Sequence, residues 1–515
     1  MAYLNKTLYS EIIVAPRRVG RKGLSAGGCR PRLSCVPAHN GRVPENPYDQ
    51  VSYLTVPLNQ MHPDRLASVA MLFGMQPAPV AACRVLEVGC GSGMNLIPMA
   101  HYLPGSRFTG IDLAEGPIAE GRRAATEIGL ANLELTAMDL CDIGPAMGEF
   151  DYILAHGVYS WIPGNVRERL LAVCRERLAP AGVACISYNA LPGRHVRMML
   201  REMMLYHTRD LEDAGERIEQ ARALLQMVGE ARLASRAWQP MIEEEIERLL
   251  TGNPGWLFHD DLAPVNDSFY FRDFMEHAAR HALQYLGDAE AHLMFDIRNA
   301  LEWLGDDVLE REQYLDFLCF RRFRQTMLCR EEVSLARPAG PERMDQFLFS
   351  SPARETDGQI EGLHSISMSR PQGAVAAVVA ALGAAWPLPV PFGSLLPCAG
   401  GPGALREILF TLIRSGFADF HVQGAGGGSL GTRPRASRLA RWESARRGSV
   451  TYSTHAALQV DGIFGRLFEL LDGTRDVEQL GADLARAEGA PPLAEIRARL
   501  PHILGHMART GLLGE

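Results

Sequence analysis

Glu87, Gly89, Gly91 and Gly93 fall within one short stretch, and Asp112, Asp139 and His156 follow at intervals of strand-and-helix length. Glycine lacks a Cβ, so the run Gly89-Cys90-Gly91-Ser-Gly93 can bend sharply and bring its backbone close to a ligand. A carboxylate at the end of the second strand of a doubly wound sheet can accept both hydroxyls of a ribose. Asp112 ends the stretch Arg107-Phe-Thr-Gly-Ile-Asp112, with Leu113 beside it, and Gly110 and Ile111 are expected to leave room for the sugar. Asp139 can accept from an adenine amino group while Met138 and Leu140 sandwich the ring. Together these groups suit a nucleoside-bearing ligand. Each also has a plainer use. Asp112 could cap a helix, and Asp139 could open a turn with Asp142. His156 could be a hydrogen-bonded structural residue, and Tyr159 and Trp161 could fill core.

Such residues need a sheet to position them. Arg84 to Val88 reads as an interior parallel strand, interrupted only by Glu87. Further strands are expected at 107–112, 133–137, 150–154 and 183–188, with helices from Ala114 to Gly129 and Asn165 to Leu178. Ligands of open α/β sheets bind outside the carboxyl ends of the strands, where all four candidate segments fall. The spacing Glu-x-Gly-x-Gly-x-Gly resembles the cofactor loop of class I S-adenosylmethionine (SAM) methyltransferases, whose acid faces the cationic end of the cofactor. A dinucleotide loop has G-x-G-x-x-G without that acid. A dinucleotide site and a ligand-free fold are the competing readings.

At 515 residues the chain has room for two to four domains, and 47% hydrophobic residues suffice for buried cores. A net charge of −8 argues against a chain-wide nucleic-acid footprint. Ten cysteines are scattered without metal-ligand spacing, as expected in a reducing compartment, so no metal is expected and the localisation expected is cytoplasmic. Residues 1–44 carry seven Arg and Lys from Arg17 to Arg42 and read as a disordered basic leader or an over-extended start. The uncharged run Pro371–Pro402 is broken by prolines and reads as a buried helix ending near Trp386, not a membrane span.

His62-Pro63-Asp64 should open a helix whose apolar stripe is Leu66, Val69, Ala70 and Phe73, with Asp64 complementing its dipole. Tyr48 and Tyr53, just before it, are candidates to reach a cofactor from a lid. Residues 191–330 read as mostly helical, and Glu243-Glu-Glu245 as a solvated face. His259, Asp260 and Asp261 cluster, but no second histidine returns at ligand spacing, so a hydrogen-bonded loop is favoured over a metal. Residues 331–370 read as a linker with short strands. Leu405–Phe417 and Leu500–Leu512 echo each other as helices turning at glycine into a strand, as in winged helices. Basic residues from Arg433 to Arg447 keep DNA binding as an option for that region.

Six stretches carry a wider resemblance: Tyr48-Asp-Gln-Val-Ser-Tyr53, His62-Pro-Asp-Arg-Leu66, Val85-Leu-Glu-Val-Gly-Cys-Gly91, Ala155-His-Gly-Val-Tyr-Ser-Trp161, Ser187-Tyr-Asn189 and Tyr314-Leu-Asp-Phe317. With them the chain resembles bacterial methyltransferases that join a SAM domain to a methyltransferase regulatory domain, a group that includes rickettsial protein-lysine methyltransferases. The resemblance implies an α/β, Rossmann-like class I domain over 45–190 and a helical regulatory domain over 191–330. It also implies a linker over 331–370 and an α+β, winged-helix-like domain over 371–515. The implied cofactor is SAM, held by Glu87, Gly89, Cys90, Gly91, Gly93, Asp112, Leu113, Asp139, Leu140 and His156. The implied reaction is SN2 methyl transfer to a protein lysine. His156 and Tyr159 are the catalytic candidates, and Trp161 and Tyr188 help line the substrate channel. The alternatives are a small-molecule acceptor, or a SAM-binding regulator with its wing on DNA. Leu191-Pro-Gly-Arg194 departs from relatives that often carry an aromatic after the glycine. Acceptor identity and oligomeric state are not determined by these residues.

Overall fold

The chain alternates short apolar strands with amphipathic helices, and a computed structural model shows them wound into one sheet. It describes residues 51, 53–231, 237–295, 300–356, 358–424, 426–428, 430–460, 462–487 and 489–514. The leader expected over 1–44 and Tyr48 lie outside these residues. Strands β1 (Arg84–Val88), β2 (Arg107–Asp112), β3 (Leu133–Ala137), β4 (Phe150–Ala155) and β5 (Leu178–Ala190) are parallel, in the order β3-β2-β1-β4-β5. The order reverses between β1 and β4, so the loops after these two strands diverge and open a crevice at their carboxyl ends. Val85, Leu86, Val88, Tyr152, Ile153 and Leu154 are buried, as interior strands covered on both faces require. The helix Glu115–Ile128 stops at Gly129, whose φ of 84° is the left-handed C-cap that glycine favours.

The region 191–330 is helical only in part. The sheet continues through β8 (Phe323–Arg330), antiparallel to β5, and β7 (Leu283–Asp288), antiparallel to β8; the short β6 (Ser268–Phe269) pairs with the end of β5. Within this stretch, read from the sequence as mostly helical, the helix Phe271–Arg280 gives way to a strand that begins at Leu283. The aromatic, Arg-rich stretch after Tyr314 divides into a helix, Val308–Cys319, and β8. Thus Ala263–Glu515 groups with Thr55–Met199 in one unit. The other unit contains the helices Ala214–Ala231 and Gln239–Thr251 with the described residues at its N-terminal end. Within it His259 Nε2 bonds the Val51 carbonyl at 2.7 Å, and Tyr53 packs edge-on against His259.

The helix Pro63–Leu72 buries Leu66, Val69 and Ala70, with Phe73 at its end, as expected. Asp64 does more than complement a dipole. Its carboxylate accepts from His421 Nδ1 and from the backbone N–H groups of Val422 and Gln423, at 2.8–2.9 Å. These donors follow from β14 (Asp419–His421), which pairs with β9 (Leu348–Ser350) beside β13 (Val390–Pro391). Residues 341–421 are therefore a packed module with its own three-stranded sheet; the expected linker contributes β9 and the hairpin strands β10 (Arg354–Thr356), β11 (Gln359–Glu361) and β12 (Ser367–Ser369). The winged-helix part is narrower than 371–515. It comprises the helices Arg438–Arg447, Gly462–Leu470, Val477–Leu484 and Leu493–Arg509 and the hairpin β15 (Ser449–Thr451)–β16 (Ala457–Gln459). No described helix is long and apolar enough to cross a membrane.

Candidate functional site

Gly89, Gly91 and Gly93 all take positive φ, at 73°, 53° and 71°, a conformation in which a Cβ is strained. The turn is pinned to β2: Gly89 N and Cys90 N both donate to the Ile111 carbonyl. Asp112 ties the loop to the next helix, accepting from Gly91 N at 2.8 Å and Ala114 N at 2.9 Å. Each carboxylate oxygen has two lone pairs, so these bonds leave capacity for ribose hydroxyls. Burial raises the Asp112 pKa, against the pull of those N–H donors. Gly110 serves a purpose other than leaving room for a sugar. A Cβ there would lie 2.7 Å from Leu135 and 2.8 Å from the Cys90 sulfur, so the glycine lets β3 and the loop close on each other.

Glu87 is buried, and burial pushes its pKa to about 8. Its Oε1 accepts from Asn95 Nδ2 at 2.8 Å, while Oε2 has no hydrogen-bond partner among the described residues. Asn95 Oδ1 in turn accepts from Leu58 N and contacts His455 Nε2, both at 2.9 Å. His455 lies in the turn of the β15–β16 wing, at a φ of 64°, and is 2% exposed. The wing is thus buried against the glycine-loop helix. Its neighbours are committed likewise: Trp442 bonds Glu127, Arg447 bonds the Thr55 carbonyl, and Tyr102 bonds the Thr451 carbonyl. A wing whose tip is occupied in this way is not free to read DNA, which counts against that alternative.

Asp139 accepts from Cys141 N at 2.8 Å and caps a short 3-10 turn, the plainer of its two expected uses. Of the apolar residues nearby, Leu140 is buried and Met138 half-buried, while Leu113, just past the end of β2, is 67% exposed.

After β4, His156 is half-buried, edge-on to Phe323 at 5.5 Å, and its Nδ1 has no partner among the described residues. Burial lowers its pKa to about 4, so the imidazole is neutral near pH 7. Tyr159 and Tyr188 are placed in core, not on a channel. Tyr159 Oη meets His277 Nδ1 at 2.6 Å, Tyr188 Oη meets Thr326 at 3.0 Å, and Tyr188 stacks on Phe274. Strand alternation explains Tyr188: it shares a face of β5 with Ile186 and packs against the helix Phe271–Arg280. Trp161 is half-buried at the end of a 3-10 turn.

Sequence reasoning missed the groups near the end of the neighbouring strand. Asn189 is the last but one residue of β5; its N–H donates to Ser160 Oγ at 2.9 Å and its Nδ2 to Asn266 Oδ1 at 2.8 Å. Asn189 Oδ1 is buried with no partner among the described residues. Arg167 braces this loop by pairing with Asp267 and lying over the Phe269 ring at 4.9 Å. Asn189 was visible only within the Ser187-Tyr-Asn189 likeness, and nothing in the sequence joined it to Asn266.

Comparison with known proteins agrees with this layout. A methyltransferase domain model matches residues 85–182, a predicted methyltransferase regulatory domain model 253–330, and a PKMT C-terminal winged helix domain model 432–491. The chain is 31% identical over 240 residues to protein RP028 of Rickettsia prowazekii, covering 46% of this chain and 96% of that one. It is 37% identical over 309 residues to RP789 of the same organism, covering 59% of this chain and 56% of the relative's length. PKMT2 from Rickettsia typhi superposes with a TM-score of 0.77 at 23% identity, over 90% of this chain and 99% of that one. Its complex with AdoHcy gives 0.76 at 24% identity, with the same coverage.

Proposed function

Because the chain belongs to the methyltransferases that carry a regulatory domain and a PKMT-type winged helix, we propose that it transfers a methyl group from SAM to a lysine side chain of a protein. The observation that carries the cofactor half is the glycine loop held against Asp112, with the unpartnered Glu87 Oε2 below it. Those residues fit SAM: a carboxylate oxygen without a donor suits the cationic end, Asp112 the ribose, and Asp139 with Met138, Leu140 and Leu113 the adenine. Gly89, Cys90, Gly91 and Gly93 form the close-approach surface. When bound, SAM supplies a methyl group on a sulfonium, open to in-line displacement by an uncharged nucleophile.

The acceptor half lies at the carboxyl ends of β4 and β5. A lysine must lose its proton before it can attack, and an apolar surround favours the neutral amine. His156, neutral and unpartnered at Nδ1, can accept an N–H from that amine. A group with a pKa near 4 is too weak a base to take the proton from an ammonium, so orientation is its role. Asn189 Oδ1 is a second acceptor at the same edge. Trp161 is the channel candidate that remains at the surface. Tyr159 acts at a distance by fixing the 3-10 turn after His156. The name of PKMT2 supports a protein acceptor.

The test is incubation with methyl-labelled SAM and a fractionated host lysate, with Asp112→Ala as control. Label in a protein band, lost in the control and mapped to lysine, is the expected result. Label confined to small molecules would overturn the protein acceptor, and no label in any fraction would overturn the enzyme.

A further inference from the structure

Away from the crevice, three side chains converge without bonding one another. Glu290 and His292 follow β7, and His364 lies in the turn between β11 and β12. Glu290 Oε2 is 3.8 Å from His292 Nδ1 and 3.9 Å from His364 Nδ1, and one donor atom from each residue lies within 4.8 Å of the others. The two imidazoles face each other with centroids 4.0 Å apart. A second trio, Glu168, His277 and His281, is different: there Glu168 bonds His281 directly at 2.9 Å, and His277 Nδ1 is taken by Tyr159 Oη at 2.6 Å.

We propose that Glu290, His292 and His364 form a binding site for a divalent transition metal, with zinc the best match. Two imidazoles and one carboxylate are a zinc donor set, whereas magnesium and calcium take oxygen. Ligands about 2.0–2.1 Å from a tetrahedral ion lie about 3.4 Å apart, so each Glu290–histidine separation needs to shorten by about half an ångström. Three further observations fit. Gln60 Nε2 donates to Glu290 Oε1 at 2.8 Å, leaving Oε2 toward the histidines, as an outer-shell residue does. His364 and Ser365 hold φ of 52° and 56°, two consecutive non-glycine residues in the left-handed region, which projects the imidazole from a tight turn. A cavity of about 10 Å³ beside them is lined by Arg65, Glu290, His292, His364 and Asp419, enough for one water as a fourth ligand. Arg65 and Arg321 are cations nearby; both terminal nitrogens of Arg65 are paired with Asp419, and Arg321 pairs with Asp288. The ion would clamp the β10–β12 hairpin to the segment after β7. It has no part in methyl transfer.

The full-length protein, stripped with a chelator, is titrated with cobalt(II) and then zinc(II). One equivalent with the visible absorption of tetrahedral cobalt, bleached by zinc, is expected, together with a rise in Tm on adding zinc. His292→Gln and His364→Gln should each weaken binding more than about tenfold, and Gln60→Ala about tenfold. His281→Gln should change nothing. The exposed His364 is the variant that decides if His292→Gln does not fold. No uptake, uptake unaffected by His364→Gln, or uptake lost only in His281→Gln would each overturn the proposal.

Discussion

The two halves of the sheet edge are built in opposite ways. On the β1–β3 side the bonds made by the three acids stay within the nucleotide fold: Glu87 with Asn95, Asp112 with Gly91 and Ala114, Asp139 with Cys141; only the far side of Asn95 is met from a distance, by His455. On the β4–β5 side they reach across the chain: Ser160 to Asn189, Asn189 to Asn266, Tyr159 to His277. A nucleoside cofactor needs only a close-approach loop and a few fixed carboxylates, which this short stretch supplies. The acceptor side is completed by the segment after Ala263, which ties the choice of acceptor to that segment. The cofactor half should then survive damage to the acceptor half.

The hardest test is Arg324→Ala. Arg324 is a fully buried residue of β8, bonds Asp316 and Glu312 at 2.8 Å, and lies 4.1 Å over the Phe271 ring. Removing it takes the cation from buried Glu312 and leaves Asp316 with Arg321 alone, at a cost of about 3–5 kcal/mol read from urea unfolding. SAM affinity per folded molecule should hold; a parallel fall would break the distinction between the halves. Asp112→Ala attacks the other side. Losing charge-assisted bonds to the ribose should weaken SAM binding about a hundredfold by calorimetry. An unchanged Kd would remove Asp112 from the cofactor site. His156→Gln should lower kcat by up to about a hundredfold through misplacement of the nucleophile, with SAM affinity intact. If SAM affinity and kcat fall together, His156 belongs to the cofactor half.

Glu87 provides a subtler probe. Its pKa in the folded protein, about 8, lies above its ordinary 4.5, so folding favours the protonated form. The stability this contributes is full below about pH 4.5 and is lost as pH rises through about 8. Tm of the wild type should therefore fall relative to Glu87→Gln between pH 6 and 9, within the range where Glu87 titrates. A cationic ligand end beside Glu87 would favour its ionised form, so SAM binding near pH 7 should release a fraction of a proton, measured in buffers of different ionisation enthalpy. No release would mean that Glu87 does not face the positive charge.

The local half was legible because its chemistry and its geometry occupy the same residues. Glycines needing positive φ, an acid two places before them and a strand-terminal aspartate all sit in sequence order. The other half was not. Phe323–Arg330 carries Arg324 as its second, buried residue, and acids from the preceding helix make that tolerable, so its pattern did not read as a strand. His455 lies far from Asn95 in sequence, and no local rule joins a wing to a glycine-loop helix. The aromatics after β4 and within β5 were ambiguous in type, since a tyrosine serves a channel or a core equally well until its hydroxyl partner is known.

Tyr159→Phe is the smallest and most discriminating change. It keeps the ring, which packs against Phe269, Phe274 and Tyr188, and removes only the hydroxyl that meets His277. If the residue belongs to the core, stability should drop by about 1 kcal/mol, the worth of one hydrogen bond, and kcat should stay within about twofold. If kcat instead falls by tenfold or more at unchanged stability, the hydroxyl reaches the reacting amine. The acceptor site would then extend past His156 into the aromatic cluster, and the line between core and channel on this side of the sheet would have to be redrawn.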